Sequence, residues 1–137
     1  MKIYFAGSIR GGRDDQDKYF QIIDHLKKYG TVLSEHIGLK TLGSSGENLP
    51  AEEIFNRDVA WVKEADVIVA EVSTPSLGVG YELRLSEYLN KKIICLFEEK
   101  EGKRVSAMVS GNKKFLVKYY KTLEECFTHI DEFLTKI

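Results

Sequence analysis

Cysteine and proline occur only twice each in this 137-residue chain, histidine three times and tryptophan once. The two cysteines, Cys95 and Cys126, fall in an apolar strand pattern and a helical pattern, and nothing near them has metal-ligand spacing. They read as buried thiols, and no metal site is expected. An excess of one charge is also missing. Twenty basic against 21 acidic residues leave a net charge of -1, with no basic arm or stripe of the kind a nucleic-acid polymer selects. A single nucleotide remains a possible ligand. No long apolar run and no charged leader precede the first strand, so neither a membrane span nor a signal peptide is expected, and cytoplasmic residence is the default. Internal repeats, low-complexity tracts and linkers are absent as well, which suits one domain over 1–137.

What is present alternates. The runs "KIYFA", "DVIVAEV", "KKIICLF" and "KFLVKYY" read as buried strands bounded by charge or turn residues, and "TVLSEH" after Gly30 is a weaker fifth. Helical patterns lie between them. Asp14 to Tyr29 puts Tyr19, Ile22, Ile23, Leu26 and Tyr29 on one face and stops at Gly30. Pro50 opens a second helix, Val79 to Leu89 make a third, and Thr122 with Glu125 forms a capping box for the last. Parallel strands need crossover helices, so this order predicts an α/β fold: a doubly wound, five-stranded parallel sheet of flavodoxin- or Rossmann-like type. Residues 36–50, "HIGLKTLGSSGENLP", form one long polar loop, either a lid or a tolerated insertion.

In such sheets ligands bind beyond the carboxyl ends of the strands, and two loops there are rich in small residues. In "GSIRGGR", Gly7 and Gly11 let backbone N–H groups approach an anion while Ser8 and Arg10 add side-chain donors. The glycine spacing is neither that of a Walker A loop nor GxGxxG, and a plain strand-to-helix turn is the alternative. In "STPSLGVGYE", Ser76 and Gly78 suit a phosphate, and Glu82 is expected in the first turn of a helix. There the helix dipole would favour an ionised, nucleophilic carboxylate, although acids are common in first turns for that reason alone. Asp58, among Val59, Trp61 and Val62, reads either as a partly desolvated general acid with a raised pKa or as the partner of Arg57. Only together do Asp58 and Glu82 suggest a glycosidase pair. Tyr4 can aim its hydroxyl at the crevice or belong to the core. His36 can meet a base or stand in solvent, while His25 and His129 read as surface residues.

The stretches "IYFAGSIRGGR", "ADVIVAEVSTPSLGVGYEL" and "CLFEEKEGKRVSAMVSG" resemble the 2′-deoxynucleoside 5′-phosphate N-hydrolase (Rcl-type) family of the nucleoside 2-deoxyribosyltransferase superfamily. The likeness is weakest over 38–53 and after Asn112. It implies hydrolysis of a deoxynucleoside monophosphate to free base and 2-deoxyribose 5-phosphate, without a metal or organic cofactor. Glu82 would be the nucleophile, Asp58 the carboxylate that assists departure of the base and then hydrolysis, and Tyr4 a catalytic tyrosine. Ser8, Ile9 and Arg10 would hold the phosphate with Ser76 and Gly78. Ser106 of the "VSAM" motif would reach it from the neighbouring subunit of a homodimer, with Met108 also among the substrate-binding residues. A deoxyribosyltransferase and a nucleotide-binding module without turnover are the competing readings.

Overall fold

The computed structural model describes residues 1–9, 13–39 and 47–137, the side chains of Arg13 and Asp14 excepted. Its elements run β1 (Lys2–Ala6), α1 (Arg13–Leu26), β2 (Thr31–Val32), a 3₁₀ turn (Glu35–Gly38), α2 (Ala51–Glu64) and β3 (Val67–Glu71), followed by α3 (Leu77–Tyr88), β4 (Lys92–Glu98), α4 (Ala107–Ser110), β5 (Leu116–Tyr120) and α5 (Leu123–Leu134). The five strands form one parallel sheet in the order β2-β1-β3-β4-β5. The chain moves outward from β1 to β2, then crosses back to β3 on the other side. The order therefore reverses between β1 and β3, where ligands of such folds bind.

Side chains alternate across each strand, and the two faces carry separate cores. Ile3, Phe5, Val67, Val69, Ile94 and Leu96 pack with Tyr19, Ile22 and Leu26 of α1 and with Cys126, Ile130 and Leu134 of α5. On the other face Tyr4, Ala6, Ile68, Ala70 and Cys95 pack with Val62 of α2, Val79 and Leu83 of α3, and Val109 of α4. Both cysteines are free and buried, and desolvation pushes each thiol up to about 12, so neither is a nucleophile near neutral pH. Among the described residues no helix is long and apolar enough to cross a membrane.

The expected fifth strand, 31–36, is cut to two residues. Ser34 is the cause. Its fully buried hydroxyl accepts from the Phe5 N–H at 2.9 Å and donates to the Phe5 carbonyl at 2.7 Å, replacing the ladder bonds a longer β2 would make. Released from the sheet, the chain turns into the 3₁₀ segment that carries His36. Gly30 also has a different reason from the one expected. Helix α1 ends at Leu26, and a Cβ at position 30 would stand 2.0 Å from the Met1 carbonyl oxygen, so close backbone approach demands the glycine.

The remaining boundaries follow local chemistry. Thr122 Oγ1 accepts from Glu125 N at 3.3 Å while Glu125 Oε2 takes the Lys121 N–H at 2.7 Å, a capping box displaced by one residue on its return bond. The Lys91 ammonium donates to the Lys63 and Ala65 carbonyls at 2.7 and 2.6 Å, closing the end of α2. His25 is not a plain surface residue. It stacks on Phe127 at 4.3 Å and meets Asp131 at 2.6 Å, tying α1 to α5. His129 is half-buried, with Nε2 3.0 Å from the Tyr119 carbonyl.

Ser34→Ala strands a buried N–H and a buried carbonyl at once. It should keep the fold and lower stability by about 1–3 kcal/mol, seen as a lower urea midpoint at unchanged m. An unchanged midpoint would show that the hydroxyl does not hold β1.

Candidate active site

Tyr4 leaves the sheet on the α2/α3 face, and its hydroxyl donates to Glu82 Oε1 at 2.8 Å. The contact joins β1 to α3 across 78 positions of sequence. Glu82 lines a cavity of about 300 Å³ with Asp58, Phe55, Gly78 and Tyr81, so the structure brings the two carboxylates to one cavity and the tyrosine hydroxyl to one of them.

The electrostatics differ from expectation. Helix α3 starts at Leu77, its first turn holds no acid, and Glu82 sits in the second turn, where the dipole of the helix end has faded. Burial instead dominates and pushes the Glu82 carboxyl up to about 7; the Tyr4 hydrogen bond opposes this and the charge of Asp58 adds to it. Burial and the Glu82 charge in turn hold the Tyr4 phenol far above its ordinary value, so it remains a proton donor. Asp58 does not stand alone among apolar residues. Arg57 reaches it with Nε at 2.9 Å and Nη2 at 2.8 Å, both on Oδ1. The ion pair is the arrangement found, and Oδ2 takes no hydrogen bond from the described residues.

Arg57 also chelates Glu47 through both terminal nitrogens, at 2.5 and 2.6 Å, and lies 4.7 Å over the Trp61 ring. The guanidinium bonds hold Glu47 below the usual carboxylate range, and His36 Nε2 lies 2.8 Å from the same Glu47. His36 is therefore neither solvated nor isolated. With Leu33, Leu39 and Trp61 it lines an adjoining cavity of about 400 Å³. Sequence reading missed Glu47 because it lies in a polar loop with no periodicity; the adjacent acid and base at Arg57 and Asp58 were the only signal of a cluster.

The two loops expected to hold a phosphate are partly occupied by structural bonds. Ser8 is buried, and its N–H already donates to the Tyr19 hydroxyl at 3.1 Å. Gly7 packs under the same ring, since a Cβ there would be 3.0 Å from Tyr19. Ile9 lies in the turn that follows, while Arg10 and Gly11 lie outside the described residues. Ser76 is the N-cap of α3, accepting from Val79 N at 3.3 Å. Ser106 caps α4 through Met108 N at 3.3 Å. Ser76, Ser106 and Met108 line a third cavity of about 500 Å³, separate from that of Glu82 and bordered by other residues of α3. Among the described residues no group of acids, histidines and cysteines could hold a metal ion.

The sequence profile of the nucleoside 2-deoxyribosyltransferase family matches residues 3–116. The chain belongs to that family. A 5-hydroxymethyl-dUMP N-hydrolase of Tetraodon nigroviridis is 44% identical over 140 residues, covering 94% of this chain and 99% of the relative. Another of the same name, from Danio rerio, is 46% identical over 142 residues, covering 99% of each. The solved CMP N-glycosidase BcmB of Clostridium botulinum superposes with a TM-score of 0.69 over 97% of this chain and 99% of its own, at 19% identity, and so shares the fold.

A buried acid whose pKa is raised binds a proton more tightly folded than unfolded. Its favourable contribution is whole below about 4.5 and is lost as pH rises through about 7. Glu82→Gln should therefore gain stability over the parent at pH 8, by about 1–3 kcal/mol, and gain little at pH 4.5. Equal differences at both pH values would contradict a desolvated Glu82.

Proposed function

We propose that this protein hydrolyses the N-glycosidic bond of 2′-deoxynucleoside 5′-monophosphates, giving free base and 2-deoxyribose 5-phosphate. The observation that carries this reading is the hydrogen bond from buried Tyr4 to Glu82, which lines a cavity together with Asp58. Ionised Glu82 attacks C1′ as the C1′–N bond breaks; that bond's electron pair leaves with the base, which takes a proton from water, and the hydroxide formed is neutralised by the proton that Asp58, a carboxylate paired with Arg57, collects in the second step. Water then attacks C1′ of the glycosyl ester, Asp58 Oδ2 receives the proton, and Glu82 departs as the carboxylate. Tyr4 orients Glu82 and stabilises its ionised form. The names of the relatives support hydrolysis over transfer to a second base, and they put 5-hydroxymethyl-dUMP first among the nucleotides to assay.

Since Glu82 must be ionised to attack, kcat/KM should climb with pH and level off above about 7. Tyr4→Phe removes the bond that lowers the Glu82 pKa, so the limb should move to higher pH as the rate falls. Glu82→Gln should lose activity by orders of magnitude, and quenched parent enzyme should carry a deoxyribose-phosphate adduct on Glu82 by mass spectrometry. Activity that falls as Glu82 ionises would instead make Glu82 the acid. Excess free adenine that yields deoxyadenosine monophosphate as main product would establish transfer.

The active unit in this proposal is a homodimer. Leu77 is 97% and Met108 85% exposed, and Tyr81 and Tyr88 also stand out from α3. Such clustered apolar surface beside a cavity suits burial by a second copy, which would bring Ser106 to the neighbouring phosphate site. Mixing inactive Ser106→Ala with inactive Glu82→Gln should restore some activity, because one hybrid site then contains neither lesion. A fully active monomer in sedimentation would refute the shared site.

A further inference from the structure

At the carboxyl edge of the sheet, on the face opposite Tyr4, lies a second polar cluster that the proposed chemistry does not use. Glu71, the last residue of β3, is fully buried. The Ser73 hydroxyl donates to its Oε1, as does the Tyr120 hydroxyl at 2.9 Å. The Lys18 ammonium of α1 stands 3.5 Å from the same oxygen, 3.0 Å from Glu98 Oε2 and 3.3 Å from Asp15 Oδ1. Burial alone would lower the Lys18 pKa, but the surrounding carboxylates outweigh it and the net shift is upward.

Each partner fixes a segment next to a candidate phosphate loop. Asp15 lies in the first turn of α1, directly after the "GSIRGGR" loop, and accepts from Thr74 Oγ1 at 2.8 Å. Thr74 precedes Ser76 in the β3–α3 connection. Ser73 in that connection is held twice, by Glu71 and by the Glu98 N–H, which donates to Ser73 Oγ at 2.7 Å. On α1 the residue after Lys18, Tyr19, takes the Ser8 N–H. Buried ion clusters stabilise folds poorly compared with apolar packing of the same volume, because desolvation offsets their attraction. Fixed geometry is what they supply best.

We propose that Lys18 is a positioning residue for phosphate recognition, which with Asp15, Glu71 and Glu98 fixes Ser8, just after β1, relative to Thr74 and Ser76 of the β3–α3 connection. The inference rests on the phosphate-binding reading of those loops given above. Lys18 also offsets part of the charge of three neighbouring acids, which would otherwise repel a dianion bound at the same edge of the sheet more strongly.

Thr74→Val and Lys18→Met test the idea, the first removing only the bridge between the loops. Both should raise KM for a deoxynucleoside monophosphate about tenfold while kcat changes little. Rates on the unphosphorylated deoxynucleoside should stay level, so the preference for the monophosphate narrows. Binding of inorganic phosphate, followed by calorimetry, should weaken by the same factor. If Lys18→Met does not fold, Thr74→Val alone decides. Variants that lose thermal stability but keep both phosphate affinity and substrate preference would reduce the cluster to a structural role and overturn the proposal. A parent protein that binds phosphate, more tightly than Thr74→Val, yet releases no base would remove the hydrolase reading and leave the positioning role standing. A parent that binds no phosphate and does not prefer the monophosphate would overturn the positioning role, whatever base it releases.

Discussion

Parallel pairing of β1 with β3, in register from Ile3 opposite Val67 to Ala6 opposite Ala70, is the constraint on which the site depends. Because side chains alternate, the register sends Tyr4 toward α2 and α3 while Phe5 goes toward α1 and α5. A slip by one residue would exchange the faces and carry the Tyr4 hydroxyl away from Glu82. The pairing also brings the loops after β1 and β3 side by side, so that residues nearly 60 positions apart, Asp15 and Thr74, can bond. The Tyr4–Glu82 contact on one face and the loop geometry on the other thus share a single origin in the two central strands.

The two faces treat buried charge differently. On the α2/α3 face Glu82 has, among the described residues, one hydroxyl donor and no cation, and its carboxyl sits near neutrality in pKa, poised between its two states. Its companion Asp58 is gripped by a guanidinium. Such unequal environments let one pair of acids play two parts. On the α1/α5 face burial also raises Glu71, but an ammonium and two hydroxyls surround it, and the group is held rather than poised.

Much of this was legible in the sequence, for reasons that particular residues make clear. The apolar runs of β1, β3 and β4 have no alternative in solvent, so their burial and the doubly wound order followed from pattern alone. Tyr4, Asp58 and Glu82 could be singled out by type and position and united by family resemblance, but their pairings could not, since they join helices and strands distant in the chain. The dipole argument for Glu82 failed because α3 begins at Leu77, moving the acid into the second turn. Strand β2 was overestimated because nothing in "TVLSEH" announces that a serine side chain will take over the backbone bonds of Phe5. Lys18 looks like any lysine on a helix. Glu71 offered a signal that was not read: an acid within an otherwise apolar strand has to find partners.

Glycines 78 and 80 in α3 lead to a different kind of consequence. A Cβ at Gly80 would meet nothing within 4 Å, and at Gly78 only the Ser76 hydroxyl at 3.8 Å, so no crowding inside the chain forbids alanine. Each glycine weakens its helix by about 0.5–1 kcal/mol relative to alanine. The turn that presents Glu82 is therefore not a self-sufficient helix. It is shaped by the Ser76 cap and the burial of Val79 and Leu83, and a peptide cut from this region would not reproduce the setting of Glu82: that geometry belongs to the assembled chain and to no fragment of it.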